Sequence, residues 1–153
     1  MARNQLKMKS ITQQWKDARA ISVIAHEDAK DLAGRPYYYH LSRVADNFGR
    51  NNYGIVAYLH DVIEDANWTL DRLREHGFSP EVVDAVDALS RRKGEEYMDY
   101  IDRCARNTVA LHVKLADLTD NMDIRRLPEI TDKDVARLRK YHKAYLYLKS
   151  KTK

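Results

Sequence analysis

The chain has 153 residues, enough for one domain with a hydrophobic core, and its 44% apolar and 33% charged residues exclude a disordered chain. Its net charge of +4 suits an anionic ligand such as a nucleotide phosphate but gives weak support for nucleic-acid binding. Cys104 is the single cysteine, so an intramolecular disulfide is excluded. The N-terminal sequence has no apolar leader, and the longest apolar run, residues 55–59, is too short to span a membrane. We therefore predict a soluble, cytoplasmic protein.

The spacing of apolar residues is helical nearly throughout, and no segment alternates as a strand would, so we predict an all-α fold. A first helix is predicted over residues 12–32, with Gly34 as its stop signal. Pro36 forces an extended approach to a second helix over about 40–49. A third helix is predicted to run without interruption over 52–65.

The second half of the chain predicts five further helices with clear start and stop signals. Ser79 and Pro80 are typical of the N-cap and first position of a helix, and Thr131 with Asp134 indicates a capping box for the last helix. The predicted helices cover 70–76, 80–89, a segment from about Glu95, 108–123, and a segment from 131. We therefore predict a compact bundle of about seven or eight helices that forms a single domain over 1–153.

The segment YGIVAYLHDVIED, residues 53–65, has one apolar face and one face with a histidine and three acids. With His60 at zero on a wheel of about 100° per residue, Asp61 lies near 100°, Glu64 near 40° and Asp65 near 140°. A solvated helix face explains three acids, but three carboxylates so close together repel each other. A divalent cation would remove that repulsion, so this face indicates a metal site.

One helix cannot enclose a metal, and two other segments offer partners. His40 stands at the start of a helix directly after PYYY, and Asp117 and Asn121 lie four residues apart on one face of a predicted helix. Each alone would be typical of a capping or surface residue. Together with the acidic face they form a mixed set of nitrogen and oxygen ligands.

Three segments carry a resemblance to a known family: PYYYHLSRVA, LHDVIEDANWTLDRL and VKLADLTDN. Their order and spacing resemble those of the hydrolase domain of RelA/SpoT proteins and of the small alarmone hydrolases, which belong to the HD superfamily. The resemblance runs over about residues 18–127. It implies the all-α HD fold and a metal-dependent phosphohydrolase.

The resemblance also implies the roles of individual residues. It implies four metal ligands: His40, His60, Asp61 and Asp117. Glu64 and Asp65 match the acids that position and deprotonate the attacking water, and Asn121 matches an asparagine that contacts the nucleotide. The family metal is manganese, although the same ligand set would take Zn²⁺, Fe²⁺ or Co²⁺. The family reaction removes the 3′-pyrophosphate of ppGpp.

The loop before His40 departs from the family pattern. Where the family has an adjacent Arg-Lys pair that grips the substrate, this chain has Asp31 and Leu32. We therefore expect weaker binding of ppGpp unless other cations compensate. The candidates for such phosphate contacts are Lys30, Arg35, Lys93, Arg91 and Arg92.

The sequence leaves three functions open. The first is hydrolysis of the 3′-pyrophosphate of (p)ppGpp or an analogue, and the second is hydrolysis of another nucleotide, such as a deoxynucleotide, a cyclic dinucleotide or a phosphorylated cofactor. The third is a basic helical nucleic-acid-binding module, which leaves the acidic face unexplained because carboxylates repel phosphates unless a metal intervenes. We expect a nucleotide as the partner and no membrane, and the sequence is compatible with an oligomer.

Overall fold

The computed structural model describes residues 7–152, and over that range the fold is all-α, as predicted. The helices are α1 (Ile11–Ala25), α2 (Tyr38–Ala45), α3 (Asn52–Leu59), α4 (Val62–Asp65), α5 (Leu70–Glu75), α6 (Pro80–Leu89), α7 (Tyr97–Ala105), α8 (Thr108–Asn121) and α9 (Asp132–Lys151), with a 3₁₀ turn at Ile124–Arg126. Between residues 7 and 152, no helix combines the length and apolarity needed to cross a membrane. The prediction about an N-terminal leader rests partly on residues 1–6, which lie outside the described range.

Local signals in the sequence account for several helix starts. The Ser79 hydroxyl accepts the amide N–H of Val82 at the start of α6. Thr131 and Asp134 exchange side-chain and backbone hydrogen bonds in a full capping box at the start of α9. These predicted boundaries are confirmed, because capping depends only on residues within one turn of the helix end.

Helix α3 is the centre of the bundle and packs against α1, α2, α6 and α8. Every residue from Gly54 to Leu59 is buried, which explains its almost continuous apolar sequence. At Gly54 a Cβ would overlap the carbonyl oxygen of Gly49, so the close approach of these two segments requires glycine. The single cysteine, Cys104, is buried in the core, as expected of a small filler. The interpretation of the chain as one domain stays a prediction.

The prediction that the first helix reaches residue 32 is wrong, because α1 ends at Ala25. Residues 26–37 form a loop in which the Asp31 carboxylate accepts the amide N–H groups of Ala33 and Arg35, both at 2.9 Å. An aspartate that binds nearby amides in this way competes with helix formation. Gly34, with φ of +79°, closes the turn.

The predicted third helix is also interrupted, between α3 and α4. The His60 ring donates its Nδ1–H to the carbonyl oxygen of Ala57, at 2.6 Å. In a continuous helix that carbonyl would accept the amide N–H of Asp61. The side chain therefore replaces one backbone hydrogen bond, and the break falls at the His60–Asp61 pair.

Candidate metal centre

Four side chains that are far apart in sequence meet beside the α3–α4 break. His40 comes from α2, His60 and Asp61 come from the break itself, and Asp117 comes from α8. The Asp117 Oδ1 atom lies 2.9 Å from His40 Nε2 and 3.3 Å from His60 Nε2. Asp61 Oδ2 lies 3.2 Å from His60 Nε2. Ligand atoms of His40, His60 and Asp61 all lie within 4.8 Å of one another.

The two histidine rings are held so that their Nε2 atoms face the carboxylates. His60 uses Nδ1 to bind the Ala57 carbonyl, and His40 Nδ1 lies 2.7 Å from Asp120 Oδ2. Both Nε2 atoms are buried, and neither has a hydrogen-bond partner among residues 7–152. With the ring proton on Nδ1, each Nε2 carries a free lone pair within 3.3 Å of a carboxylate oxygen, an arrangement that a cation between them would stabilise.

The spacing of these atoms fits a bound metal. Ligand atoms held at about 2.1 Å from one cation, at right angles, lie about 3 Å apart. The separations between Asp117 and the two imidazoles, 2.9 and 3.3 Å, match that value. Burial opposes a charged His40, but the carboxylates of Asp117 and Asp120 outweigh it and raise the pKa of His40 to about 10.

Asp120 supports His40 from outside this set. Its carboxylate binds His40 Nδ1 and also accepts hydrogen bonds from Arg43 Nε at 2.7 Å and Arg126 Nη2 at 3.3 Å. Burial opposes ionisation of Asp120, but His40 and Arg43 lower its pKa to about 2. Sequence reasoning missed Asp120, although it lies three residues after Asp117 on the same helix, a spacing that places both on one face.

Asp117 is held by two further residues of α8. The largely buried Lys114 ammonium donates to Asp117 Oδ2 at 2.8 Å, and the Asn121 amide donates to Oδ1 at 3.0 Å. Burial opposes charge on both members of the ion pair, yet their mutual attraction lowers the pKa of Asp117 and raises that of Lys114. Asn121, which the sequence predicted to contact the nucleotide, therefore binds directly to one of the predicted metal ligands.

The loop between α1 and α2 closes one side of the centre. The Tyr37 hydroxyl donates a short hydrogen bond to Asp61, and burial, reinforced by Asp61, raises the pKa of Tyr37. The ring of His26 lies 5.1 Å from the Tyr37 ring, and its buried Nε2 has no partner among the described residues. Burial lowers the pKa of His26, so this third imidazole is neutral at pH 7.

Glu64 and Asp65 lie one turn beyond Asp61 and are exposed at the edge of the centre. Glu64 accepts the backbone N–H of Arg91, which fixes its carboxylate. Desolvation, followed by repulsion from Asp61, raises the pKa of Asp65 to about 6, and desolvation also raises that of Glu64. A carboxyl group with a pKa near neutrality is suited to accept a proton.

A cleft of about 230 Å³ opens beside His40. Its charged and polar lining includes Lys30, Asp31, Arg43, Asp120, Asn121, Asp123, Arg126, Asp134 and Arg137. Of the predicted substrate residues, Lys30 and Asn121 line this cleft, whereas Arg35 and Lys93 do not. Its arginines were missed because they come from α2, the 3₁₀ turn and α9, three segments that meet at the cleft only in the folded chain.

The chain is similar in sequence to two curated bacterial proteins, although no protein-family model matches it. It is 34% identical over 112 residues to the guanosine-3′,5′-bis(diphosphate) 3′-pyrophosphohydrolase of Haemophilus influenzae, with 64% of this chain and 16% of that protein covered. It is also 34% identical over 119 residues to a probable GTP pyrophosphokinase of Mycobacterium leprae, with 68% of this chain and 15% of that protein covered. The chain therefore spans less than a fifth of the length of these relatives.

The fold is similar to that of a solved metazoan orthologue of SpoT, which is described as hydrolysing ppGpp and playing a role in starvation responses. The TM-score is 0.72 at 22% sequence identity, with 88% of this chain and 84% of that chain covered. At this identity the match shows the fold, and it confirms the predicted helical architecture.

Proposed function

We propose that this chain, which in sequence and in fold is an HD-type domain of the RelA/SpoT hydrolase kind, is a metal-dependent phosphohydrolase that removes the 3′-pyrophosphate of (p)ppGpp or a close analogue. The substrate follows from the activities named for the similar Haemophilus and metazoan proteins. The proposal includes manganese as the metal, a cytoplasmic location and a single catalytic domain over residues 1–153.

One observation carries the proposal: two buried imidazole Nε2 atoms, which have no hydrogen-bond partner within residues 7–152, lie close to the carboxylates of Asp61 and Asp117. We assign His40, His60, Asp61 and Asp117 as the residues that would hold the metal. A divalent cation bound there would lower the pKa of a water molecule and offset negative charge on the phosphoryl group. The mixed nitrogen and oxygen ligand set suits Mn²⁺ and other first-row ions.

The two acids beyond Asp61 supply the proton chemistry. Asp65, whose pKa is about 6, is poised to take a proton from the attacking water at neutral pH. Glu64, held by the Arg91 amide, fixes the direction from which that water approaches. Tyr37, through its bond to Asp61, orients that carboxylate and excludes water from one side of the centre.

Hydrolysis of another nucleotide is the second candidate, and the structure of the α1–α2 loop favours it. Asp31 lines the cleft where the resembled family has an arginine, and its Oδ1 is bound by two backbone amides, so it cannot move away without opening the loop. Leu32, at the second position of that pair, is 64% exposed and offers no charge. A substrate with fewer phosphates would meet less repulsion here.

The test is a nucleotide panel incubated with the Mn²⁺-loaded protein, in which phosphate and pyrophosphate are measured separately. We expect ppGpp to give GDP and pyrophosphate. Glu64→Gln is the matched control, because it should fold and bind metal while losing the activity, which excludes a contaminating enzyme. Turnover of another nucleotide alone would favour the second candidate, and no turnover of any nucleotide by metal-loaded protein would contradict both.

A further inference from the structure

Two cations, one from α9 and one from the loop after α6, lie against the ring of Tyr97. Lys140 Nζ, on α9, lies 4.3 Å from the centroid of the Tyr97 ring, and Arg91 Cζ, in the loop after α6, lies 5.5 Å from the same centroid. Both side chains are exposed. Cations placed over a ring face are oriented by its quadrupole while they keep free N–H donors.

Among the described residues, these two cations have no carboxylate partner, unlike the arginines of the cleft. Arg43 pairs with Asp120, and Arg137 pairs with Asp134. Within residues 7–152, neither Arg91 nor Lys140 forms an ion pair, and the Arg91 side chain bonds only to the backbone oxygen of Glu95. The cleft arginines must give up a partner to bind phosphate, whereas these two need not.

Several positive charges lie close together around Lys140. Burial, followed by repulsion from Arg91, Lys114 and Arg137, lowers the pKa of Lys140. The Tyr97 hydroxyl is buried and has no hydrogen-bond partner among the described residues. An anion would remove the repulsion among the cations, which are otherwise costly to hold together.

Two sets of contacts place this pair beside the metal centre. The backbone N–H of Arg91 donates to Glu64, one of the two acids next to Asp61. On the other side, Lys114 bonds to Asp117 and lies 5.2 Å from the Tyr100 ring, whose centroid is 6.1 Å from that of Tyr97.

We propose that Arg91 and Lys140, held against Tyr97, bind the phosphate groups of the nucleotide that are not cleaved. For ppGpp these are the 5′-diphosphate. The inference rests on the proposed function and explains how the chain can bind a polyphosphate although its α1–α2 loop carries Asp31 and Leu32. The phosphate grip is then supplied by α9 and the α6–α7 loop.

The experiment compares Lys140→Gln with Lys149→Gln, which removes the same charge from the same helix. Nine residues separate the two positions, so Lys149 lies about 180° around the helix from Lys140. The probe is GDP, which carries a 5′-diphosphate and no 3′ group, and its binding to Mn²⁺-loaded protein is measured by calorimetry. We expect Lys140→Gln to weaken GDP binding about tenfold at low salt and less at high salt, with guanosine unaffected. Lys149→Gln should bind GDP as the wild type does.

Steady-state hydrolysis of ppGpp gives a second readout, in which Lys140→Gln and Arg91→Gln should raise KM more than they lower kcat. Equal GDP binding by wild type, Lys140→Gln and Arg91→Gln would overturn the phosphate site even if ppGpp is hydrolysed. A different outcome separates the two proposals. If the wild-type protein binds GDP but hydrolyses no nucleotide, and Lys140→Gln binds GDP more weakly, the phosphate site stands and the proposed function fails.

Discussion

Removal of the Asp120 carboxylate should weaken metal binding although Asp120 is not a proposed ligand. Its oxygen lies 2.7 Å from His40 Nδ1, and this contact keeps the ring proton on Nδ1 and the lone pair on Nε2. In Asp120→Ala the ring can rotate and exchange tautomers. Partners of this kind are worth about 10- to 100-fold in metal affinity, or roughly 1.4–2.7 kcal/mol. Asp120→Asn should lose less, because an amide oxygen can still accept the Nδ1–H.

The assay is competition for Mn²⁺ or Zn²⁺ against a chromophoric chelator. Asp123→Ala is the matched control, because Asp123 also pairs with Arg126, at 3.2 Å, and is bonded to Arg125 rather than to His40. We expect the control to keep wild-type affinity. Equal affinity of Asp120→Ala and Asp123→Ala for the metal would refute the claim that Asp120 positions His40.

Three further predictions concern Glu64, the exposed Leu32 of the α1–α2 loop, and Glu95, whose backbone oxygen binds Arg91. Glu64→Gln should keep the metal and lose roughly 100-fold or more in kcat because the attacking water is no longer held in position, and joint loss of metal would instead make Glu64 a ligand. Leu32→Lys should lower KM for ppGpp and, unlike a change at Asp31, should leave the loop intact; an unchanged KM would show that the exposed position is too far from the substrate. Bonds from Arg103 lower the pKa of Glu95 to about 2, so the stability that Glu95 adds is complete above its ordinary pKa of about 4.5 and is lost as pH falls towards 2. The difference in melting temperature between wild type and Glu95→Gln should therefore vanish at low pH, and a constant difference would contradict this origin.

Helix starts could be predicted from the sequence where the signal is local. Ser79 and Thr131 cap their helices with groups only three residues away. The end of α1 and the break at His60 could not be predicted in this way, because each depends on a side chain that binds backbone groups inside a folded loop or site. Hydrophobic periodicity alone continues through both places.

In the candidate site, too, some residues could be predicted from local sequence and others depend on the packing of distant segments. The acidic face after His60 and the resemblance around His40 and Asp117 identified the residues that the structure brings together, because these motifs have fixed spacing. The cations near the centre were harder to place. Lys140 joins the site only through the packing of α9 on α7 and α8, which no spacing in the sequence encodes.

The most direct test of the account is the metal content of the purified protein, measured by elemental analysis and native mass spectrometry for the wild type and for His60→Ala, Asp61→Ala and His142→Ala. His142 is an exposed histidine on α9 and serves as the control. We predict about one divalent transition ion per chain in the wild type and in His142→Ala, and none in the other two variants. Full metal occupancy in both His60→Ala and Asp61→Ala would contradict it.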